Sequence, residues 1–63
     1  MYIVENVEKN KNKTYNVMIK SSDKSYSYDV SEDLVVEYRL VKNKELTKEE
    51  YKLFIVAKDK DVL

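Results

Sequence analysis

The chain has 63 residues, the size of one small domain, and it contains no cysteine and no histidine. A chain of this length buries only about 60% of its unfolded surface, and disulfide bonds and zinc sites built on Cys or His are excluded. Twelve basic residues balance 12 acidic ones, and no apolar run approaches a membrane span, so we expect a cytoplasmic protein without the positive charge of a dedicated nucleic-acid binder.

Two polar segments divide the first half of the chain. Residues 9–13 read Lys-Asn-Lys-Asn-Lys, and residues 21–25 read Ser-Ser-Asp-Lys-Ser. Both segments lack apolar side chains and are rich in turn-forming residues, so they predict hairpin loops. Because the chain has no glycine, we expect Asn, Asp or Ser at turn positions that need a positive φ angle.

The segments around these loops show the two-residue period of β-strands. In the first segment, polar Glu5 separates Ile3 from Val7. The second and third segments alternate cleanly, and their apolar faces consist of Tyr15, Val17 and Ile19 and of Tyr26, Tyr28 and Val30. This pattern predicts a three-stranded antiparallel meander with one face buried.

After Val30 the period changes to that of helices. Ser31 can cap a first, short helix, whose first turn holds the acidic residues Glu32 and Asp33. The apolar residues of this helix share one face, namely Leu34, Val35 and Tyr38, with Val36 and Leu40 near its edge. We expect the helix to stop before Asn43, the residue best suited to a left-handed conformation in a chain without glycine.

A second, longer helix follows, with the Thr47 and Glu50 spacing of a capping box. Leu46 and Tyr51 flank the cap as a hydrophobic staple would, and Tyr51, Phe54, Ile55 and Lys58 share the predicted buried face. No stop signal precedes Leu63, so we expect the N-terminal module of a longer protein. The predicted fold class is α+β, a three-stranded antiparallel meander followed by a short helix and a longer C-terminal helix packed on one sheet face.

A pattern of single residues runs through both predicted helices and consists of Asp33, Leu34, Val36, Tyr38, Leu40, Leu46, Glu49 and Glu50. Preceded by three alternating strands, it resembles the N-terminal region of the RecX family of recombination regulators. Residues 15–19 and 26–30 are similar to the second and third strands of that region. The resemblance implies a non-catalytic module of a regulator of RecA-mediated recombination, which acts by protein binding or positioning. Its implied partner is the RecA filament, bound through the full-length protein, with no cofactor and no small-molecule substrate.

The chain departs from the family pattern in three turns. Arg39 stands where the family often has a small residue, and Asn43 stands where it usually has glycine. Ser22-Asp23-Lys24 replaces a turn that contains glycine. The tandem three-helix repeats of the family, which the resemblance makes the main contact with the RecA filament, are absent from these 63 residues.

The sequence predicts no enzyme and no catalytic, cofactor-binding or metal-binding residue. Its serines have no histidine to act as a base, and neither a cysteine nucleophile nor a glycine-rich phosphate loop is present. The acidic pairs at 32–33 and 49–50 lie at predicted helix starts, where they complement the helix dipole.

Two other functions stay open. Lys9, Lys11 and Lys13 could contact phosphates in a small nucleic-acid-binding module, although a solvated hairpin tip that discourages edge pairing is the simpler interpretation. Tyr26 and Tyr28 share a strand face, as base-stacking aromatics do, but we favour a place for them in the core. The remaining possibility is a purely structural interaction domain that dimerises through an exposed edge strand.

Overall fold

A computed structural model describes residues 1–61, which form a four-stranded antiparallel sheet and two helices. The strands are β1 (Tyr2–Lys9), β2 (Thr14–Ser21), β3 (Lys24–Ser31) and β4 (Glu45–Leu46), and the helices are α1 (Glu32–Glu37) and α2 (Lys48–Asp61). The strand order across the sheet is β3-β2-β1-β4. The α+β class, the meander and the two helices are confirmed, and the short strand β4 was not predicted.

The core lies between one face of the sheet and the two helices. Its buried side chains are Val4, Val17, Ile19, Val30, Leu34, Leu40, Leu46 and Phe54. Every strand and helix contributes to this set, because each directs at least one apolar side chain to the same layer. In the described part of the chain, no polar or charged residue is buried, so packing carries the fold.

Strand β1 contains a bulge at Glu5. Its register with β2 shifts between Val4 and Asn6, which leaves Glu5 as an extra residue. Val4 is consequently buried and Val7 packs against the core, whereas Ile3 falls on the opposite face. A strict two-residue period would place Ile3 and Val7 on one face, but the extra residue shifts the alternation by one position.

Helix α1 ends earlier than its apolar pattern predicted. The helix does stop before Asn43, but its last residue is Glu37, and the left-handed residue that follows is Arg39 with φ 49°. This turn is closed by the amide of Leu40, which donates to the carbonyl oxygen of Val35 at 2.9 Å. The tight turn brings Leu40 into the core, so packing outweighs the cost of a left-handed arginine.

The connection from α1 to β4 docks against β1. The amide of Asn43 donates to the carbonyl of Val4 at 2.7 Å, and the amide of Val4 donates to the carbonyl of Lys44 at 2.8 Å. These bonds lead into β4, where Leu46 pairs with Tyr2. Strand β4 therefore covers part of the outer edge of β1.

Among residues 1–61, four have positive φ angles, and only two are of the predicted types. Ser22 and Asn43 agree with the expectation, whereas Lys13 and Arg39 are long cationic side chains. The expectation was wrong for these two because the surrounding hydrogen bonds fix the turn, whatever side chain stands there. The chain thus holds strained turns that glycine would occupy with less strain.

Helix α2 begins with the predicted capping box, which is confirmed at both bonds. The amide of Glu50 donates to the hydroxyl of Thr47 at 3.1 Å, and the amide of Thr47 donates to the carboxylate of Glu50 at 3.0 Å. The bond from the Thr47 backbone N–H lowers the pKa of the Glu50 carboxyl below its ordinary value. Neither helix is long and apolar enough, over residues 1–61, to cross a membrane.

Candidate functional site

The β1–β2 hairpin carries the three lysines that the sequence predicted to contact nucleic acid. Lys9 ends β1, Lys11 lies in the loop, and Lys13 takes a φ angle of 68° directly before β2. All three side chains are exposed. The hairpin therefore presents three ammonium groups within a few residues of one another.

The asparagines of this hairpin are structural. The Oδ1 atom of Asn12 accepts from the hydroxyl of Thr14 at 2.6 Å, and the side-chain amide of Asn10 donates to that hydroxyl at 2.9 Å. A further bond, at 3.2 Å, joins Asn10 to Asp29 on β3. These bonds hold the loop in shape while its lysines face solvent.

A hollow of about 350 Å³ lies beside the base of the hairpin. It is lined by Lys9, Lys13, Ser31, Glu32 and Asp33. The hollow thus brings two of the three predicted lysines together, but not Lys11. Because two carboxylates stand beside the two ammonium groups, the local charge is balanced and phosphate gains little.

Ser31 occupies the N-cap position of α1, but its side chain does not cap the helix. Its Oγ atom is buried without a hydrogen-bond partner among the described residues. The prediction of a side-chain cap at Ser31 was therefore wrong. Strand β3 runs directly into α1, and its pairing with β2 extends to Ser31, so the serine is held by the sheet.

A cluster of tyrosines covers the core at one end of α2. The rings of Tyr2 and Tyr51 stack with centroids 4.0 Å apart, and the hydroxyls of Tyr28 and Tyr51 share a hydrogen bond. Burial and this bond raise the pKa of Tyr28 above its ordinary value. The Nζ atom of Lys58 lies 5.5 Å from the Tyr28 ring centroid. The tyrosines of this cluster thus make their aromatic, hydrogen-bond and cation contacts within the fold.

The two tyrosines of β3 have different environments. Tyr28 packs edge-on against Phe54 with centroids 5.7 Å apart, which confirms its predicted place against the core. Tyr26 is 42% exposed, so the prediction of a core position was wrong for it. Tyr26 pairs with Ile19 near the second hairpin. The pair does not form a platform for stacking bases.

Polar side chains on the open face of the sheet bond to one another. Asn16 on β2 donates to Ser27 at 2.6 Å and to Asp29 at 3.1 Å, and Ser25 donates to the bulge residue Glu5 at 2.6 Å. Side chains that satisfy one another in this way offer few groups to a ligand. Over the described range, no three acidic residues cluster closely enough to hold a metal ion.

Four of the exposed apolar residues lie in two pairs along the chain, which the sequence did not mark as functional. Val36, near the end of α1, and Val41, in the α1–β4 connection, are 69% and 60% exposed and lie on either side of buried Leu40 in the chain. Leu53 and Val56, 60% and 51% exposed, lie on α2. Their position off the predicted buried face of α2 was the signal that could have identified them, since a helix needs only one apolar stripe for its core.

Comparison with known proteins adds no relative to these observations. No protein-family model, curated protein or solved structure matches the chain. The resemblance to the RecX family therefore stays a prediction based on the residue pattern.

Proposed function

We propose that the chain is the non-catalytic N-terminal module of a RecX-like regulator of RecA-mediated recombination, acting in the cytoplasm by protein binding or positioning. One observation carries the proposal. The three leucines of the family-like pattern, Leu34, Leu40 and Leu46, meet in one core beside Phe54. Residues that are separated in the pattern thus pack together in one core between the sheet and α2, as expected of a family motif that specifies a fold.

The same core packing holds an exposed apolar surface in place. Leu40 anchors the α1–β4 connection in the core, and Val36 and Val41 stand exposed on either side of it in the chain. Exposed valines on a firmly anchored segment can bury apolar area in a partner without loss of much conformational freedom. We assign to this valine pair a contact of the module with the RecA filament, in addition to the main contact that the resemblance gives to the tandem repeats.

No reaction is part of the proposal. The acidic residues with candidate roles lie at helix starts, and the carboxylate of Glu50 is engaged by Thr47 in the capping box. Glu32 accepts a hydrogen bond from the hydroxyl of Tyr15 at 3.3 Å. These contacts give the carboxylates structural roles, which supports binding as the function.

Binding to filaments of RecA on immobilised single-stranded DNA, measured by biolayer interferometry, tests the proposal. We expect saturable binding that is lost when Val36→Ser and Val41→Ser are combined. Val56→Ser is the matched control, since it makes the same change at a similarly exposed valine on α2. Absence of saturable binding refutes the proposed function, and equal binding by both variants refutes the assigned surface.

A second candidate function is contact with nucleic acid, favoured by the exposure of Lys9, Lys11 and Lys13 on one hairpin. If each lysine neutralises one phosphate, the logarithm of the affinity falls with the logarithm of salt by about 0.9 per contact. Fluorescence anisotropy of labelled DNA at two salt concentrations measures this slope. Alanine at all three positions should abolish the slope, whereas a triple alanine variant of the α2 and turn lysines, Lys42, Lys48 and Lys52, should retain it. The same slope in both variants would eliminate the hairpin as the contact.

A further inference from the structure

The outer face of α2 carries a short seam of four residues. Glu49, Leu53, Val56 and Lys60 follow one another at spacings of four, three and four positions, and all four are exposed. At about 100° per residue they point in one direction, about 130° away from the direction of buried Phe54. This spacing is that of a coiled-coil seam, in which a helix meets a second helix.

We propose that this seam pairs with the same seam of a second copy of the chain, with the two α2 helices antiparallel. The sequence of the seam is self-complementary under two-fold symmetry. Antiparallel pairing places Leu53 against Val56 of the second copy and Glu49 against Lys60 of the second copy, and each contact occurs twice. The two exposed apolar side chains of each seam are covered, and every charge at the ends of the seam meets its opposite.

The flanking positions favour the same arrangement. Lys52 comes to lie beside Asp59 of the second copy, and Glu50 beside Ala57 of the second copy, so no like charges meet. Asp59 already accepts from Lys58 at 3.1 Å, but its side chain is 68% exposed and retains an accessible oxygen.

A parallel pair is disfavoured by the same residues. It would set Glu49 against Glu49 and Lys60 against Lys60 of the second copy, and like charges repel. This charge pattern selects a second, antiparallel copy as the occupant of the seam.

The interface is small. Helix α2 has 14 residues and a length of about 21 Å, and each copy contributes two apolar side chains to the seam. Such an interface falls in the class of weak, transient contacts below about 1,200 Å². The dimer should therefore form at high protein concentration and dissociate as salt screens its exposed ion pairs.

Sedimentation equilibrium of the full chain, from micromolar to millimolar concentration at low and high salt, tests the pairing. We expect reversible dimers in low salt that are lost when Leu53→Asp and Val56→Asp are combined. The matched control combines Val36→Asp and Val41→Asp, which makes the same change at the other exposed apolar pair. Far-UV circular dichroism confirms that both variants remain folded.

An exchange of the two charged residues of the seam distinguishes pairing through this seam from pairing through another apolar surface. Glu49→Lys alone should weaken the dimer about threefold or more, and the double variant Glu49→Lys with Lys60→Glu should restore it, because the exchanged charges are again complementary. A monomer at every concentration overturns the proposal. So does a dimer that survives the aspartate changes in α2, since it would then form through another surface such as the free edge of β3.

Discussion

Replacement of Phe54 by alanine should remove a large part of the stability of this domain. Phe54 is completely buried and packs edge-on against Tyr28 and Tyr38, with ring centroids 5.7 and 6.0 Å away. Loss of a buried Phe side chain costs about 3–5 kcal/mol in protein cores. At roughly 0.05–0.15 kcal/mol per residue, the whole chain has a free energy of unfolding of about 3–9 kcal/mol. Phe54→Ala should therefore remove between about one third and all of it.

Urea unfolding followed by far-UV circular dichroism measures this loss of stability. Two further variants separate the contribution of the aromatic contacts from that of burial. Phe54→Leu keeps most of the apolar volume but loses both edge-on contacts, which are worth about 0.5–1.5 kcal/mol each. The free energy of unfolding of Phe54→Leu should lie between that of the wild type and that of Phe54→Ala. Leu53→Ala, at the neighbouring exposed position, should change the free energy of unfolding by no more than about 0.5 kcal/mol.

The result that refutes this reasoning is a similar small loss for Phe54→Ala and Leu53→Ala. The two residues are adjacent in α2, and replacement by alanine changes the helix propensity at either position by at most about 0.7 kcal/mol, so burial is what separates them. A small loss at Phe54 would mean that α2 does not cover the sheet.

Three further predictions concern the cap, a strained turn and the tyrosine cluster. Thr47→Ala should lower the free energy of unfolding, measured in urea, by about 1 kcal/mol, because the Thr47 hydroxyl accepts from the Glu50 amide. Thr47→Ser keeps the hydroxyl and should not lower it. Equal losses in the two variants would contradict the capping role. Arg39→Gly should raise the free energy of unfolding by up to about 1 kcal/mol because φ is positive at that position, whereas Lys42→Gly should lower it. A lower free energy of unfolding in both variants would contradict backbone strain at Arg39. Burial raises the pKa of Tyr28, so the neutral form is favoured in the fold and stability should fall as the pH rises above about 10. Urea unfolding across that range should show a shallower fall for Tyr28→Phe than for the wild type, and identical slopes would count against the buried hydroxyl.

Local patterns predicted the parts of the fold that depend on neighbouring residues. The alternation of Tyr15, Val17 and Ile19 predicted a strand with one buried face, since side chains of a strand alternate whatever the rest of the fold is. The Thr47 and Glu50 pair predicted both bonds of the capping box, because the box is complete within four residues. These features need no information from distant parts of the chain.

The missed features depend on contacts between distant segments. Strand β4 has two residues, too few for any period, and it exists because Leu46 pairs with Tyr2 far away in the chain. The bulge at Glu5 was hidden because Tyr2, Ile3 and Val4 are all apolar and do not reveal which of them faces the core. Tertiary packing made both choices.

The candidate sites show the same division. The three hairpin lysines could be predicted as exposed from composition alone, but the placement of Lys9 and Lys13 beside Glu32 and Asp33 follows from the path of β3 into α1. The exposed pair Leu53 and Val56 required knowledge of which face of α2 meets the sheet. The chemical type of these side chains could be read from the sequence, whereas their neighbours depend on the tertiary structure.

The single extra residue in β1 determines where the chain tolerates insertions and deletions. Before the bulge, Tyr2 and Val4 face the core; after it, Val7 does, so the two ends of the strand are out of phase with each other. Removal of Glu5 would turn the first residues over, move Ile3 inward and withdraw Tyr2 from its stack on Tyr51. Evolutionary variants of this fold should therefore differ in length at the hairpin loops and keep a constant number of residues between Val4 and Val7.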